Sequence, residues 1–151
     1  MKKAVGALAA AILFVAPLAP AAAAGLVTKS EIAQTLEQEG YDVQDFKANM
    51  LAVMVGEHVV LVGVDGADGD ISYISYVDGL SINDVGHEFL SKFNSEVKFG
   101  RAYADRDGDI AIQMDRNSAG GVTVKNIQSD FDVFLLLISK FLSDIESRAS
   151  A

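Results

Sequence analysis

Apolar and polar positions follow two rhythms along this chain, and the switches between them mark out its elements. After Thr28, Ile32 and Leu36 lie four apart, the spacing of one helical face, and the pattern stops at Gly40. After Ser81 a second helical pattern carries Ile82, Val85, Phe89 and Phe93. After Thr123 a third carries Val124, Ile127, Phe131, Phe134, Ile138, Phe141 and Ile145, about six turns in all. The three predicted helices open alike, as Val27-Thr28-x-x-Glu31-Ile32, Leu80-Ser81-x-x-Asp84-Val85 and Val122-Thr123-x-x-Asn126-Ile127. A hydroxyl stands at the N-cap with apolar residues at N′ and N4, and the first two carry an acid at N3. This combines a hydrophobic staple with a capping box.

Between the first two helices the pattern predicts three or four strands: a short one around Tyr41 and Val43, then Met50 to Val55, Val59 to Val64, and Ile71 to Val77. Gly56-Glu57, glycine first, fits a two-residue type II′ turn. Asp65-Gly66 to Asp70 forms a polar connection. After the second helix Phe99, Arg101 and Tyr103 alternate with Gly100, Ala102 and Ala104. Ile110, Ile112 and Met114 alternate with Ala111, Gln113 and Asp115, and Asp107-Gly108 between these strands is a hairpin signal. The order α-β-β-β(-β)-α-β-β-α predicts an α+β domain, an antiparallel sheet with helices packed on one face.

The first residues set the expected address. Lys2 and Lys3 precede an apolar stretch from Ala4 to Ala16, followed by Pro17, Pro20 and the run Ala21 to Ala24. This is the pattern of a secretory signal peptide cleaved after Ala24, which leaves a single domain over 25–151. The two prolines interrupt the apolar run short of the ~20 residues that span a bilayer. The expected location is the periplasm or the exterior, with no membrane attachment of the mature form.

Charge narrows the partners. The chain carries a formal net charge of −9. Loss of Lys2 and Lys3 with the leader takes it to −11. Nucleic-acid affinity rests on Lys and Arg neutralising phosphates, and no basic cluster exists here, so no nucleic acid is expected as a partner. Anionic lipid is disfavoured by the same sign. The chain contains no cysteine, so the fold must rest on its core even in an oxidising compartment.

One stretch is more specific than the rest. Phe93-Asn94, Phe99-Gly100-Arg101-Ala102-Tyr103, Asp105, Asp107-Gly108-Asp109, Asp115 and Gly120-Gly121-Val122 follow one another at fixed spacings. This order resembles the YbjN-like family, a group connected with bacterial sensory transduction. Typical members carry a Trp-Asn helix end, a Phe-Gly-Arg-Ala-Tyr strand, an Asp-Gly turn and a Gly-Gly-Val helix entry. Phe93 stands where Trp is usual, and the cysteines that many relatives carry between the early strands are absent. The resemblance implies a fold like that of the secretion chaperones and a role in signalling or regulation.

Candidate chemistry is sparse. His87-Glu88 begins an H-E-x-x-H pattern, but position 91 is Ser91, so the second zinc ligand is missing. His58 follows the Gly56-Glu57 turn and is expected at the surface. There is no G-x-S-x-G elbow and no cysteine nucleophile. No catalytic residue, metal or cofactor is therefore expected, and the chain reads as a non-enzyme. Asp105, Asp107 and Asp109 resemble the start of a calcium loop, yet the positions needing Gly and Glu hold Ile110 and Arg116. Acidic loops at 65–70 and 105–109 leave a small-molecule or calcium sensor as the alternative function. Gly120-Gly121 could cradle an anion at a helix start, though reversal of the chain from sheet to helix also explains the pair. Leu135, Leu136 and Leu137 widen the last apolar stripe, which makes Leu136 and Leu137 a candidate interaction surface. The chain's own loops, a second copy in a homodimer or a protein or peptide partner could cover it. The first expectation is a protein- or peptide-binding module, with a structural homodimer as a further alternative.

Overall fold

Six strands form one antiparallel sheet in the order β1-β2-β3-β4-β6-β5 in a computed structural model that describes residues 25–150. The leader expected over 1–24 lies outside the described residues. Along the chain the elements are α1 (Lys29–Gln38), β1 (Asp42–Lys47), β2 (Met50–Val55), β3 (His58–Asp65) and β4 (Asp70–Ser81), then α2 (Ile82–Val85), α3 (His87–Glu96), β5 (Gly100–Ala104), β6 (Asp109–Arg116) and α4 (Val124–Ala149). The α+β class and the helix-on-sheet arrangement are those the sequence pattern predicts.

The helix starts form as their spacing dictates. The Glu31 carboxylate accepts from the Thr28 amide at 2.8 Å, and the Glu31 amide donates to the Thr28 hydroxyl at 3.3 Å. Asn126 and Thr123 repeat the exchange at α4. At α2 the Asp84 carboxylate accepts from the Ser81 hydroxyl and amide at 2.6 and 2.9 Å. The backbone bond from Thr28 holds the Glu31 carboxyl below its usual range, and the Ser81 hydroxyl does the same for Asp84. The expected single second helix is in fact two. Gly86, at φ +81°, ends α2 after one turn and begins α3, because a left-handed residue breaks the helical path.

The turns follow from glycine. Gly56 has φ +60° while Glu57 stays at negative φ, as a II′ turn requires, and Val55 pairs with His58. Four strands precede α2, the upper of the two expected numbers. β4 runs to Ser81, four residues past the expected Val77, with irregular register after Tyr76.

The core lies between the sheet and the helices. On the inner face Leu51 pairs with Val62, Val62 with Tyr73 and Tyr73 with Met114. Val53 pairs with Val60, and Ser75 with Ile112, which pairs in turn with Ala102. All of these are buried. α4 covers them with Ile127, Phe131, Phe134, Ile138 and Phe141, and α1 adds Ile32 and Leu36. Tyr73 is tilted against both Phe131 and Phe134, while Phe141 meets Phe89 and Phe93 edge to face.

Candidate functional site: the open face of the sheet

Residues that alternate with the core positions project from the other side of the sheet, where none of the described helices packs. Their register forms cross-strand rows. Ala52 pairs with Leu61, Leu61 with Ile74, Ile74 with Gln113 and Gln113 with Arg101. Beside this row Met54 pairs with Val59, and Ala111 sits between Tyr76 and Tyr103. An antiparallel sheet with one wet face normally turns polar residues outward. Here the outward positions of β2, β3 and β4 are mostly apolar, and Met54, Val59 and Tyr76 are 36%, 38% and 42% exposed. Contiguous exposed apolar surface marks interaction sites.

A polar corner borders this patch. Asp115 accepts from the Ser72 hydroxyl and the Gln113 amide, each at 2.8 Å, and lies 3.4 Å from the Arg101 guanidinium. That guanidinium also stands 5.8 Å from the centre of the Tyr103 ring. Burial, and secondarily the neighbouring Tyr76, pushes the Tyr103 phenol above its usual range.

The motif residues divide into two sets by what their side chains do. Phe93 is core. The Asn94 side chain donates to the Ala102 carbonyl at 2.9 Å and accepts from the Ala102 amide at 2.8 Å, which closes the free edge of β5. Gly100 lets α4 approach, because a Cβ there would lie 2.6 Å from Leu137 Cδ1. Asp105 accepts from the amides of Asp107 and Asp109 at 2.9 and 3.0 Å, so this oxygen shapes the hairpin turn. Gly108, Gly120 and Gly121 all have positive φ at chain reversals. Arg101, Tyr103 and Asp115 form the second set, gathered on the open face.

Phe99 stands apart from both sets. It is the one described non-glycine residue with positive φ, at +71°, and it is 76% exposed. It borders a 440 Å³ groove shared with Met114, Arg116, Asp130 and Val133. In the groove Arg116 makes a two-pronged pair with Asp130, one bond at 2.6 Å. A bulky residue in the left-handed region is strained by about 1–2 kcal/mol. Phe99→Gly is therefore expected to stabilise the fold by about 1 kcal/mol despite the lost ring, since little of that ring is packed. Thermal unfolding checks this, and a lower melting temperature would show that the ring packs more than its exposure indicates.

The helix candidate needs correction. Leu136 is 69% exposed on α4, but Leu137 is buried against Gly100 and offers no surface. One residue along a helix is a turn of about 100°, enough to carry a side chain from solvent to core. His87 is exposed and His58 half-buried, and among the described residues no three His, Asp or Glu side chains converge as a metal-ligand set. The open-face apolar residues were not legible as a site from single motifs. Their signal was the unbroken apolar runs of β2 and β3, since a strand with one wet face alternates.

Comparison with known proteins bears on this geometry. The sequence matches the YbjN family, described as "Putative bacterial sensory transduction regulator", over residues 28–147. The chain belongs to the YbjN family. A search of curated proteins returned no match. The YbjN domain here is similar in fold to the crystal structure of YbjN from E. coli, described as "a putative transcription regulator", with a TM-score of 0.62. The two are 16% identical, and the similarity covers 84% of this chain and 96% of that one. The YbjN motif residues thus fall partly on the open face and partly in the scaffold behind it.

Proposed function

We propose that this chain is an exported, non-enzymatic binding module that serves bacterial sensory transduction by docking a protein on its open sheet face. One observation carries the reading: Arg101, Tyr103 and Asp115, which have no part in the core, stand on the same face as the exposed Met54, Val59 and Tyr76. The family's connection with signalling supports a regulatory role. Enzymatic chemistry has no support in the residues gathered there, which include neither a nucleophile with a base nor a histidine. Export rests on the leader pattern of residues 1–24.

A photo-crosslinking residue placed at position 76 in the producing bacterium tests the docking site. An adduct is expected from position 76 and none from position 136, on the far side of the domain. Adducts from 136 alone would move the site to α4. The mass of the processed protein, expected to begin at Gly25, checks export.

A further inference from the structure

We infer that the surface docked on the open face is that of a second copy of this chain, so that two sheets pack face to face about a twofold axis. The inference rests on the reading of the open face as a docking site and names its occupant. Three observations lead to it.

The first is size. Six strands about 4.8 Å apart span roughly 24 Å, and six residues of strand at about 3.3 Å each span roughly 20 Å. Each face therefore offers roughly 500 Å² of plane, and two together reach the roughly 1,000 Å² of a specific interface before side-chain relief is counted.

The second is shape of charge. A twofold interface brings the same patch against itself, so any uncompensated charge in it meets its like. Despite the chain's −9, the interior of this face carries one cation and one anion, Arg101 and Asp115, already paired with each other. The remaining acids on this side are Asp42, the facing pair Asp65 and Asp70, Asp78 beyond the last regular pair of β4, Asp105 just past β5, and Asp109, and they lie toward the margins of the face. A neutral centre inside an acidic rim is compatible with self-association. A basic partner surface would instead leave its cations without anions in the centre.

The third is the state of the edges. β5, beside Arg101 and Tyr103, has its outward Ala102 groups bonded to Asn94, so the sheet does not extend sideways at that end. Association at this end is directed to the face.

The acidic rims give the dimer a signature. They repel across the interface, and salt screens that repulsion within about 10 Å at 0.1 M. Dimerisation is therefore expected to tighten as NaCl rises, the opposite of docking to a basic partner.

Sedimentation velocity of the purified protein, from about 1 to about 100 μM and at about 20 and about 500 mM NaCl, provides the test. The expected result is a monomer–dimer equilibrium, several-fold tighter at high salt. Val59→Lys and Tyr76→Lys should each abolish the dimer with the melting temperature of the isolated chain preserved, since both side chains are already partly exposed. Leu136→Glu should leave it intact. A protein that is monomeric under all conditions overturns the inference. So does a dimer that survives both lysines, or one lost with Leu136→Glu. If the protein is monomeric yet position 76 still crosslinks to another protein, the dimer falls and docking stands. If position 76 captures nothing as well, both fall.

Discussion

Gly100→Ala is expected to remove about 3 kcal/mol of stability, which for a domain of this size lowers the melting temperature by roughly 10 °C. Two atoms occupy the space that the new methyl group needs. Leu137 Cδ1 lies 2.6 Å from the added Cβ and the Gln113 carbonyl oxygen 2.8 Å. The leucine is a side chain and can turn aside, but Leu137 is buried between α4 and the sheet and has little room to do so. The carbonyl belongs to β6, the strand paired with β5, and moving it opens the ladder that carries Ala102 against Ile112. The double variant Gly100→Ala, Leu137→Ala separates the two contacts. It relieves the first clash and leaves the second, so coupling between the sites should recover part of the loss and not all of it. Urea unfolding of the three variants measures this. A Gly100→Ala protein as stable as the parent would mean that helix and sheet separate easily here.

Asn94→Ala is expected to cost about 2 kcal/mol and to change behaviour in concentrated solution as well. The asparagine amide forms two hydrogen bonds with one residue of β5, as a neighbouring strand would. Alanine leaves the Ala102 amide and carbonyl facing outward without those partners, at about 1 kcal/mol each. It also reopens an edge on which another chain can add. Asn94→Asp is a sharper probe of the same bond. The carboxylate still accepts from the Ala102 amide, but it sets a negative oxygen against the Ala102 carbonyl where the asparagine donated. Faster exchange of the Ala102 amide, with light scattering that rises with concentration, is the expected outcome for both variants. Slow exchange retained in Asn94→Ala would show that other groups protect the edge.

How far the sequence foretold this molecule depends on the range over which each signal acts. The helix starts were readable because a cap is a contact within four residues, and Thr28, Ser81 and Thr123 each carried theirs in plain view. The Gly56-Glu57 and Asp107-Gly108 turns were readable for the same reason. The break at Gly86 was missed because one glycine inside a helical rhythm can be tolerated or can end the helix, and only the path of the chain decides. Leu137 was misplaced because its partner, Gly100, lies in another element. The site was partly visible. Arg101, Tyr103 and Asp115 belonged to the motif, but the same motif held Asn94 and Gly100, whose work is structural. Nothing in the linear order tells the two apart. Val59 and Tyr76 carried no motif at all and acquired meaning once the register showed which way they point.

The strand order has a consequence for how the chain reaches this structure. The first four strands lie in the sheet in the order in which they occur in the chain, so each pairs with a neighbour a few residues away. The β5–β6 hairpin is equally local. The seam between β4 and β6 is different, because Tyr73 must find Met114 after α2, α3 and β5 have intervened. Local contacts form quickly, and long loops close slowly against their entropy. The meander and the hairpin are therefore expected to form as two early units, with their meeting at this seam as the slow step. Until they meet, β4 presents a bare edge, and that interval is when the chain is most exposed to aggregation.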